Sequence, residues 1–308
     1  MSYPEHREEN GLSNGKISNP LPIGVAAARQ FFENEDLATK TISDEFKLQG
    51  KCALVTGANG GLGLEMALVL AELGAIVYAV DLAESPSKDF TACANYARKM
   101  FSGSVDRDRM YYRRVDVTDQ TAMRDLCKLI VDAEGTLDVC VAAAGILHDG
   151  GSCLNLSVSD FQRVMDVNTN GVFITAAAAA SEMVKRDIGG SIIMVASMSG
   201  SITNKDHAWI AYNTSKSAVL QMARSMACEL GSSRIRVNSL SPGHVRTAMT
   251  QKFLVENPFL EEKWSSMNPL GRLGKVHEVR GVTAWLASDA SSFCTGSDII
   301  VSGGHHSW

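Results

Sequence analysis

The chain has 308 residues, of which 45% are hydrophobic and 20% are charged, and its formal net charge at pH 7 is -5. This composition is typical of a soluble globular protein and excludes a largely disordered, collagenous or disulfide-rich chain. With 29 basic and 34 acidic residues and no long basic run, the sequence shows no sign of binding to nucleic acid or to a membrane. We therefore expect a small-molecule partner.

The cysteines and the first residues of the chain bear on its cellular location. The seven cysteines are scattered and form no C-x-x-C pair, which is typical of reduced intracellular thiols. The polar first residues lack the apolar core of a signal peptide and the Arg-rich character of a transit peptide. No stretch reaches the roughly 18 apolar residues that a membrane span needs. We expect a cytoplasmic protein.

From residue 51 onward, short apolar runs alternate with segments of helical periodicity. The apolar runs predict strands at residues 52–56, 75–81, 110–117, 139–143, 191–197, 236–240 and 298–301. The periodic segments predict helices at residues 61–73, 88–101, 121–134, 159–186, 211–230 and 276–287. Because parallel strands need crossover connections, the pattern predicts an α/β fold, a doubly wound parallel sheet (Rossmann fold) of about seven strands with helices on both faces.

Two segments fall outside this alternation. Residues 1–48 form a mostly polar N-terminal extension, in which an apolar patch at residues 24–32 predicts a short helix and the rest is expected to be mobile. Residues 49–308 are predicted to form a single domain. Within it, an insertion at residues 247–270 follows the carboxyl end of a strand, which makes it a candidate substrate lid. The insertion contains large apolar side chains, among them Phe253, Leu254, Phe259, Trp264 and Met267.

A glycine-rich segment joins the first predicted strand to the first predicted helix. Glycines there allow a tight turn and a close approach of the backbone to a pyrophosphate, which the N–H groups and dipole of the helix N-terminus attract. The position inside a βαβ unit favours a dinucleotide site over an ordinary tight turn, the alternative interpretation. The residues expected to contact the dinucleotide are Gly57, Asn59, Gly61, Leu62 and Gly63.

Two acidic residues end neighbouring predicted strands. Asp81 can accept hydrogen bonds from the ribose diol of adenosine and would repel a 2′-phosphate. Neither Gly60 nor Leu82 is basic, so the local sequence predicts NAD(H) rather than NADP(H). Asp116, followed by Val117, could bind the adenine amino group, or it could cap the next helix.

Tyr212 and Lys216 lie four residues apart at the start of a predicted helix, so their side chains share one face. A phenol with a pKa of about 10 is a poor acid or base at neutral pH, and a nearby ammonium favours the phenolate. The pair therefore predicts a proton donor and acceptor at Tyr212. Ser197 ends the fifth predicted strand at the carboxyl edge of the sheet, where ligands bind in such folds.

These motifs, in this order, resemble the short-chain dehydrogenase/reductase family, and the resemblance covers residues 48–304. The matching positions are the glycine loop, the adenine-binding acid, the catalytic tetrad, the stretch beside the nicotinamide and the C-terminal glycines: Thr56, Gly57, Gly61, Gly63, Asp116, Asn168, Ser197, Tyr212, Lys216, Pro242, Gly243, Val245, Thr247, Thr295, Gly296, Gly303 and Gly304. The chain departs from the family at Ala142-Ala143-Ala144-Gly145, where N-N-A-G is usual. This change affects hydrogen bonding around the cofactor pocket more than the chemistry.

The resemblance implies a catalytic mechanism. Tyr212 as phenolate would take the hydroxyl proton while hydride passes to the nicotinamide, and Ser197 would bind the reacting oxygen. Lys216 would lower the Tyr212 pKa and hold the nicotinamide ribose, and Asn168 would hold a water that links Lys216 to solvent. The implied cofactor contacts are Gly57, Asn59, Gly61, Leu62, Gly63, Asp81, Asp116, Val117, Ala144, Gly145, Tyr212, Lys216, Pro242, Gly243, Val245 and Thr247.

We expect an NAD(H)-dependent oxidoreductase that interconverts a secondary alcohol and a ketone. One alternative is a polyol or sugar-alcohol dehydrogenase, because residues 196–200 are similar to those of fungal-type enzymes of that class. Others are a non-catalytic NAD(H)-binding protein and an enzyme of this fold that catalyses dehydration or epimerisation. The resemblance also implies a homotetramer or homodimer joined through the helices at residues 159–186 and 211–230.

Several further side chains are candidate substrate contacts. His148 and His244 could each contact substrate or be ordinary loop histidines, and Trp209 and Met198 could line the substrate cavity or pack against the core. His305 and His306 are adjacent, so their side chains diverge, and we expect no metal site.

Overall fold

The computed structural model describes residues 21–34, 36, 38–101, 107–148 and 151–308, without the side chains of residues 248, 249, 252 and 253. The described residues divide into two units between Glu45 and Phe46. The first unit contains helices α1 (Gly24–Glu33) and α2 (Ile42–Glu45), so the helix predicted at residues 24–32 is confirmed. The expectation of mobility for residues 1–20 lies outside the described residues.

The second unit alternates strands and helices along the chain. Its strands are β1 (Cys52–Thr56), β2 (Ile76–Asp81), β3 (Met110–Arg114), β4 (Val139–Ala142), β5 (Gly190–Val195), β6 (Ile235–Pro242), β7 (Val245–Arg246), β8 (Gly274–Lys275) and β9 (Asp298–Val301). Its helices are α3 (Gly61–Glu72), α4 (Lys88–Met100), α5 (Gln120–Glu134), α6 (Val158–Met165), α7 (Val172–Lys185), α8 (Ile210–Leu230), α9 (Ala248–Glu256), α10 (Phe259–Ser266) and α11 (Arg280–Ala287).

The main sheet has seven strands in the order β3-β2-β1-β4-β5-β6-β9, and every pairing is parallel. The predicted doubly wound parallel sheet is confirmed. The strand order reverses between β1 and β4, and the crevice at such a switch point is where ligands bind in open α/β sheets. Strands β7 and β8 form a separate parallel pair.

The core lies in two layers, one on each face of the sheet. In β1, Cys52 and Leu54 pack in the layer that contains side chains of α5, α7 and α8. Ala53 and Val55 alternate with them and pack against α3, α4 and α11 on the other face. Because both faces are covered, the strands are apolar almost throughout. In the described part of the chain, no helix combines the length and apolarity needed to cross a bilayer.

The helix predicted at residues 159–186 is interrupted by a π-helical turn, which is wider than a turn of α-helix. Between α6 and α7, residues Asp166–Gly171 form a π-helical segment, a kind of local expansion that often occurs at functional sites. Within it, Asn168 accepts a hydrogen bond from the Ile146 amide at 2.8 Å and donates one to the Ile146 carbonyl at 2.9 Å. These contacts with a distant loop are not visible in the local periodicity of the sequence.

Candidate active site

A cavity of about 500 Å³ lies at the carboxyl edge of the sheet. It runs from the glycine loop after β1, past the ends of β4 and β5, to the start of α8. The sequence-predicted residues that line it are Gly57, Gly61, Leu62, Gly63, Asp81, Asp116, Val117, Ala144, Gly145, Ser197, Tyr212, Lys216, Pro242, Gly243, Val245 and Thr247. Two predicted residues, Asn59 and Asn168, are not part of its lining.

The glycine loop packs closely against neighbouring backbone at Gly57 and Gly63, where it leaves no room for a side chain. Gly57 has a φ of +66°, and a Cβ there would lie 2.8 Å from the Ala144 Cα. A Cβ on Gly63 would lie 2.2 Å from the Gly57 carbonyl oxygen. The N-terminus of α3 borders the cavity, and Gly60 gives it no side-chain cap. A glycine cradle at an uncapped helix N-terminus fits the pyrophosphate of a dinucleotide.

Asp81 borders the same end of the cavity, and its carboxylate accepts hydrogen bonds from the backbone amides of Asn59 at 3.1 Å and Leu82 at 2.8 Å. The Asn59 side chain does not face the cavity. It accepts a hydrogen bond from the Ser87 amide at 2.6 Å and donates one to the Ser85 carbonyl at 3.3 Å. Asn59 thus supports the loop after β2, because that loop offers backbone partners within its reach.

The alternative interpretation of Asp116 as a helix cap is wrong. The residue that caps α5 is Asp119, whose side chain accepts hydrogen bonds from the amides of Thr121 and Ala122 at 3.0 Å each. Asp116 instead accepts hydrogen bonds from the amide and hydroxyl of Thr118 at 2.9 and 2.8 Å. This turn ends the strand before residue 117 and leaves Asp116 on the cavity wall.

Arg114, a basic side chain that is not among the predicted candidates, lies near the end of the cavity that Asp81 borders. Arg114 pairs in register with Asp81 across β3 and β2. Its guanidinium donates a hydrogen bond to the Leu82 carbonyl at 3.3 Å and forms an ion pair with Glu84 at 3.4 Å. Residues 60 and 82, the positions adjacent in sequence, are not basic, but strand register brings Arg114 to the same loop.

The first turns of α8 place Tyr212 and Lys216 in the middle of the cavity wall. The Lys216 ammonium is almost fully buried, donates a hydrogen bond to the Val195 carbonyl at 2.8 Å, and lies 5.7 Å from the centroid of the Tyr212 ring. Burial lowers the pKa of Lys216 from 10.5 to about 8, because a poorly solvated site disfavours the charged form.

Burial also shifts the pKa of Tyr212, but it raises that pKa instead of lowering it. Desolvation raises the pKa of its phenol, and a hydrogen bond with the Ser197 side chain lowers that pKa in part. Lys216 was expected to be the group that lowers it, but its ammonium points to the Val195 carbonyl. Ser197 lies two residues beyond the end of β5 and caps a short 3₁₀ turn by accepting a hydrogen bond from the Ser199 amide at 3.1 Å.

Asn168 lies behind the cavity wall, where it is completely buried. Besides its two bonds to Ile146, it donates a hydrogen bond to the Ser215 hydroxyl at 3.1 Å. A Cβ on Gly145 would lie 3.3 Å from the Asn168 Oδ1 and 3.5 Å from the Lys216 Nζ. The structure therefore brings Asn168 and Lys216 together at Gly145.

At the end of the cavity away from Asp81, four ring side chains form a stacked group that we call the aromatic wall: His207, Trp209, His244 and Trp264. His207 stacks on Trp209 with ring centroids 4.1 Å apart, and His244 stacks on Trp264 at 4.3 Å. The Trp264 indole donates a hydrogen bond to the His207 Nε2 at 2.9 Å, which joins the two pairs. Trp209 and His244 line the cavity.

Three of these rings, Trp209, His244 and Trp264, are among the predicted candidates, whereas His207 is not, and its only signal in the sequence is the neighbouring Trp209. It also missed Ile146 and Leu147, which line the cavity directly after Gly145. His148 is buried and is not part of the cavity lining. The side chain of Phe253 lies outside the described ones.

Comparison with known proteins agrees with this geometry. A family model described as enoyl-(acyl carrier protein) reductase matches residues 57–306. A relative from Aspergillus versicolor, short chain dehydrogenases/reductase notP′, is 38% identical over 273 residues, which cover 87% of this chain and 91% of the relative. The chain belongs to the short-chain dehydrogenase/reductase family.

One further relative and one solved structure are also similar to this chain. An NADP-dependent mannitol dehydrogenase from Hypocrea jecorina is 34% identical over 264 residues, which cover 85% of this chain and 94% of the relative. The crystal structure of a short-chain type dehydrogenase/reductase from Mycobacterium marinum is 38% identical, with a TM-score of 0.77, and covers 85% of this chain and 98% of its own. As a member of the family, the protein is an oxidoreductase that acts with a nicotinamide cofactor on an alcohol or carbonyl group.

Proposed function

We propose that this short-chain dehydrogenase interconverts a secondary alcohol and a ketone with NAD(H), with Tyr212 as its acid and base. The observation that carries the proposal is a single cavity with two chemically distinct ends. One end has the glycine cradle and Asp81, which suit a dinucleotide, and the other has the hydrogen-bonded pair of Ser197 and Tyr212, which suits a reacting oxygen.

When bound, the nicotinamide cofactor would supply or accept the hydride. The glycine loop and the N-terminus of α3 would hold its pyrophosphate, and Asp81 its adenosine ribose. Pro242, Gly243, Val245 and Thr247 line the same cavity and would border the nicotinamide. The close contacts at Gly57 and Gly63 support this assignment, because a side chain at either position would collide with neighbouring backbone and distort the cradle.

Tyr212 would exchange the proton of the reacting oxygen. In reduction its neutral phenol donates the proton to the developing alkoxide, and the raised pKa keeps that phenol protonated at neutral pH. In oxidation it must act as the phenolate, which the hydrogen bond from the Ser197 hydroxyl favours. With substrate bound, the Ser197 hydroxyl would donate its one hydrogen bond to the substrate oxygen in place of Tyr212.

Lys216 and Asn168 would return the proton to solvent. With a pKa of about 8, Lys216 can release and regain a proton close to neutral pH. Asn168 lies beside it at Gly145, and its own hydrogen bonds hold it in place. The presence of the whole tetrad supports an enzyme over a non-catalytic NAD(H)-binding protein.

The choice of NAD(H) rests on the balance between Asp81 and Arg114. Asp81 would repel a 2′-phosphate, and the guanidinium of Arg114 is already paired with Glu84. We expect the kcat/KM for NADH to exceed that for NADPH by about tenfold or more, which corresponds to about 1.4 kcal/mol. Asp81→Ser should reduce or reverse the preference for NADH over NADPH, whereas Arg114→Ala should leave the kcat/KM for NADH unchanged. Equal efficiency of the unmodified enzyme with NADPH would contradict the proposal.

The polyol alternative is supported by residues 196–200 and by the similarity to several enzymes named for sugars or sugar alcohols, among them the NADP-dependent mannitol dehydrogenase. A screen of NADH consumption with D-fructose, L-sorbose and cyclic ketones distinguishes it from the main proposal, and product analysis would expose dehydration or epimerisation.

We propose residues 49–308 as the catalytic domain and residues 247–270 as its lid, since Thr247 and Thr250 already line the cavity. The seven cysteines are free thiols, which supports a cytoplasmic location.

A further inference from the structure

Trp209 lies at the point where the chain after β5 enters α8. It is the residue immediately before the helix, and the Asn213 amide donates a hydrogen bond to its carbonyl at 2.8 Å. Its indole lies 6.3 Å from the Tyr212 ring, measured between the ring centroids, with the two planes 71° apart. Trp209 lines the cavity and is only partly buried. Part of the cavity wall beside the proposed acid and base is therefore a tryptophan ring.

The aromatic wall fixes the orientation of this indole. The His207 ring covers one face of it, with the two planes 6° apart. His207 is held in turn by the hydrogen bond from the Trp264 indole, and Trp264 is almost completely buried. The Lys263 ammonium forms an ion pair with Asp206 at 2.7 Å, which ties α10 to the loop before α8. Trp209 thus presents a preorganised apolar surface, which a ligand can contact at a low cost in conformational entropy.

At this end of the cavity, the described side chains offer a substrate few hydrogen bonds. Leu147 and Met198 contribute apolar surface. The Thr250 hydroxyl donates a hydrogen bond to a backbone carbonyl at 2.7 Å. The Ser199 hydroxyl, on an almost fully buried residue, accepts a hydrogen bond from the Asn204 side chain at 2.6 Å. A polyol would leave most of its hydroxyl groups facing apolar side chains, which is unfavourable, whereas an apolar group gains free energy by leaving water.

The charges of the cavity lining favour an uncharged substrate. Among the described residues that line the cavity, only Asp81, Asp116 and Lys216 carry a full charge at neutral pH. The two aspartates border the end proposed for adenosine, and the Lys216 ammonium donates a hydrogen bond to the Val195 carbonyl. This described lining contains no arginine and no second lysine that could bind a carboxylate or a phosphate group beside Trp209. A sugar acid would therefore bury its charge without a partner, which is unfavourable.

We propose that Trp209 is a specificity-determining residue, whose indole binds an aromatic ring attached to the carbonyl carbon of the substrate. The substrate is then an uncharged aryl ketone or the corresponding secondary alcohol, and not a polyol or a sugar acid. Aromatic rings prefer offset-stacked or edge-to-face contacts, so an aryl group next to the carbonyl suits a site in which the indole lies close to Tyr212. This inference rests on the proposed secondary-alcohol chemistry.

The first test measures the preference of the unmodified enzyme among four ketones. The probes are acetophenone, cyclohexyl methyl ketone, L-sorbose and 5-keto-D-gluconate, each with NADH and with NADPH. Acetophenone should be reduced with a kcat/KM about threefold or more above that for cyclohexyl methyl ketone, which has a similar shape without the aromatic ring. The two sugar-derived ketones should have kcat/KM values about tenfold or more below those of the other two.

The second test substitutes Trp209. Trp209→Ala should lower the kcat/KM for acetophenone about tenfold or more, mainly through a higher KM, and change the value for L-sorbose by less than about threefold. Trp209→Phe keeps a ring against His207 and should retain about a third or more of the acetophenone value. The dissociation constant for NADH should change by less than about threefold in both variants. Trp308→Ala, at an exposed tryptophan outside the cavity lining, is the matched control and should change none of these values.

Each other outcome has a definite meaning. Equal losses for all four ketones in Trp209→Ala, or a weakened affinity for NADH, would mean that Trp209 only supports the packing of the site, and would overturn the inference. A kcat/KM of the unmodified enzyme for any other probe that equals or exceeds the value for acetophenone would also overturn it, while leaving the dehydrogenase activity intact. Failure to reduce any of these ketones with either cofactor would count against the proposed function as well as the inference.

Discussion

Tyr212 and Lys216 are four residues apart on one helix, and burial acts on their pKa values in opposite directions. It raises the pKa of the phenol and lowers that of the ammonium, because in each case the neutral form is favoured in a poorly solvated site. The hydrogen bond from Ser197 then offsets part of the shift at Tyr212. The acid and base properties of the site thus depend on single contacts within the cavity.

Removal of the phenolic hydroxyl should stop catalysis without affecting cofactor binding. We expect Tyr212→Phe to lower kcat about a thousandfold or more, since it removes the only atom of that side chain that can transfer a proton. The dissociation constant for NADH, measured by fluorescence titration, should change by less than about threefold. Tyr96→Phe, at a half-exposed tyrosine on α4, is the matched control. Turnover retained in Tyr212→Phe would disprove the assignment.

The lowered pKa of Lys216 predicts a pH dependence of stability. Below pH 8 the lysine is charged in the folded and unfolded states, so folding carries the full cost of burying the ammonium. Between pH 8 and 10.5 the folded protein binds fewer protons than the unfolded chain, so this cost is relieved as the pH rises, by up to about 3 kcal/mol.

Lys216→Met removes that titration and serves as the comparison. Urea unfolding of the nucleotide-free proteins should show the free energy of unfolding of the unmodified protein rising relative to that of Lys216→Met as the pH increases from 8 to 10. Other ionisable groups titrate in both proteins and cancel in the difference. A difference that does not change over this range would show that the Lys216 pKa is not lowered in the folded state.

At the level of secondary-structure elements, the π-helical segment Asp166–Gly171 joins α6 to α7 and holds Asn168 behind the cavity wall. It turns Asn168 toward the loop after β4, where its amide makes hydrogen bonds with the backbone of Ile146 and with Ser215. The same segment passes close to the end of β3, since a Cβ on Gly171 would lie 2.7 Å from a Val117 methyl group.

Substitution of Asn168 should therefore affect both stability and turnover. Asn168→Ala removes three side-chain hydrogen bonds and leaves the partly buried Ile146 amide and carbonyl without these partners, at a cost of about 2 to 4 kcal/mol in the free energy of unfolding. Asn170→Ala, in the same segment, loses an exposed hydrogen bond to Asp166 and should cost less than about 1 kcal/mol. Chemical unfolding and steady-state kinetics of the two variants test this difference, which equal effects would contradict.

At the level of the whole molecule, α7 carries two half-exposed apolar residues, Phe173 and Val184. Eleven residues separate them, so they lie on one face of the helix. Leu129 on the neighbouring helix α5 is also half-exposed. The apolar residues on α7 support the proposed homotetramer or homodimer, which would be joined through the helices at residues 159–186 and 211–230.

Light scattering coupled to size exclusion measures the oligomeric state directly. We expect the unmodified protein to be a tetramer, and Phe173→Glu to shift it to smaller species, because the introduced carboxylate would be buried without a partner. Tyr96→Glu on α4 provides a control at another exposed aromatic position. A monomeric unmodified protein would contradict the proposal.

The amino-acid sequence by itself determined the sheet, the edge at which the cavity lies and most of the residues that line it. These follow from local features: apolar runs and helical periods specify the elements, and parallel strands bring their carboxyl ends to one edge. The role of Asn59 in supporting a loop, the approach of Arg114 and the π-helical turn at Asn168 were decided by tertiary structure. So were the stacking of His244 on Trp264 and the directions of the pKa shifts, because strand register, desolvation and contacts between distant segments exist only in the folded chain.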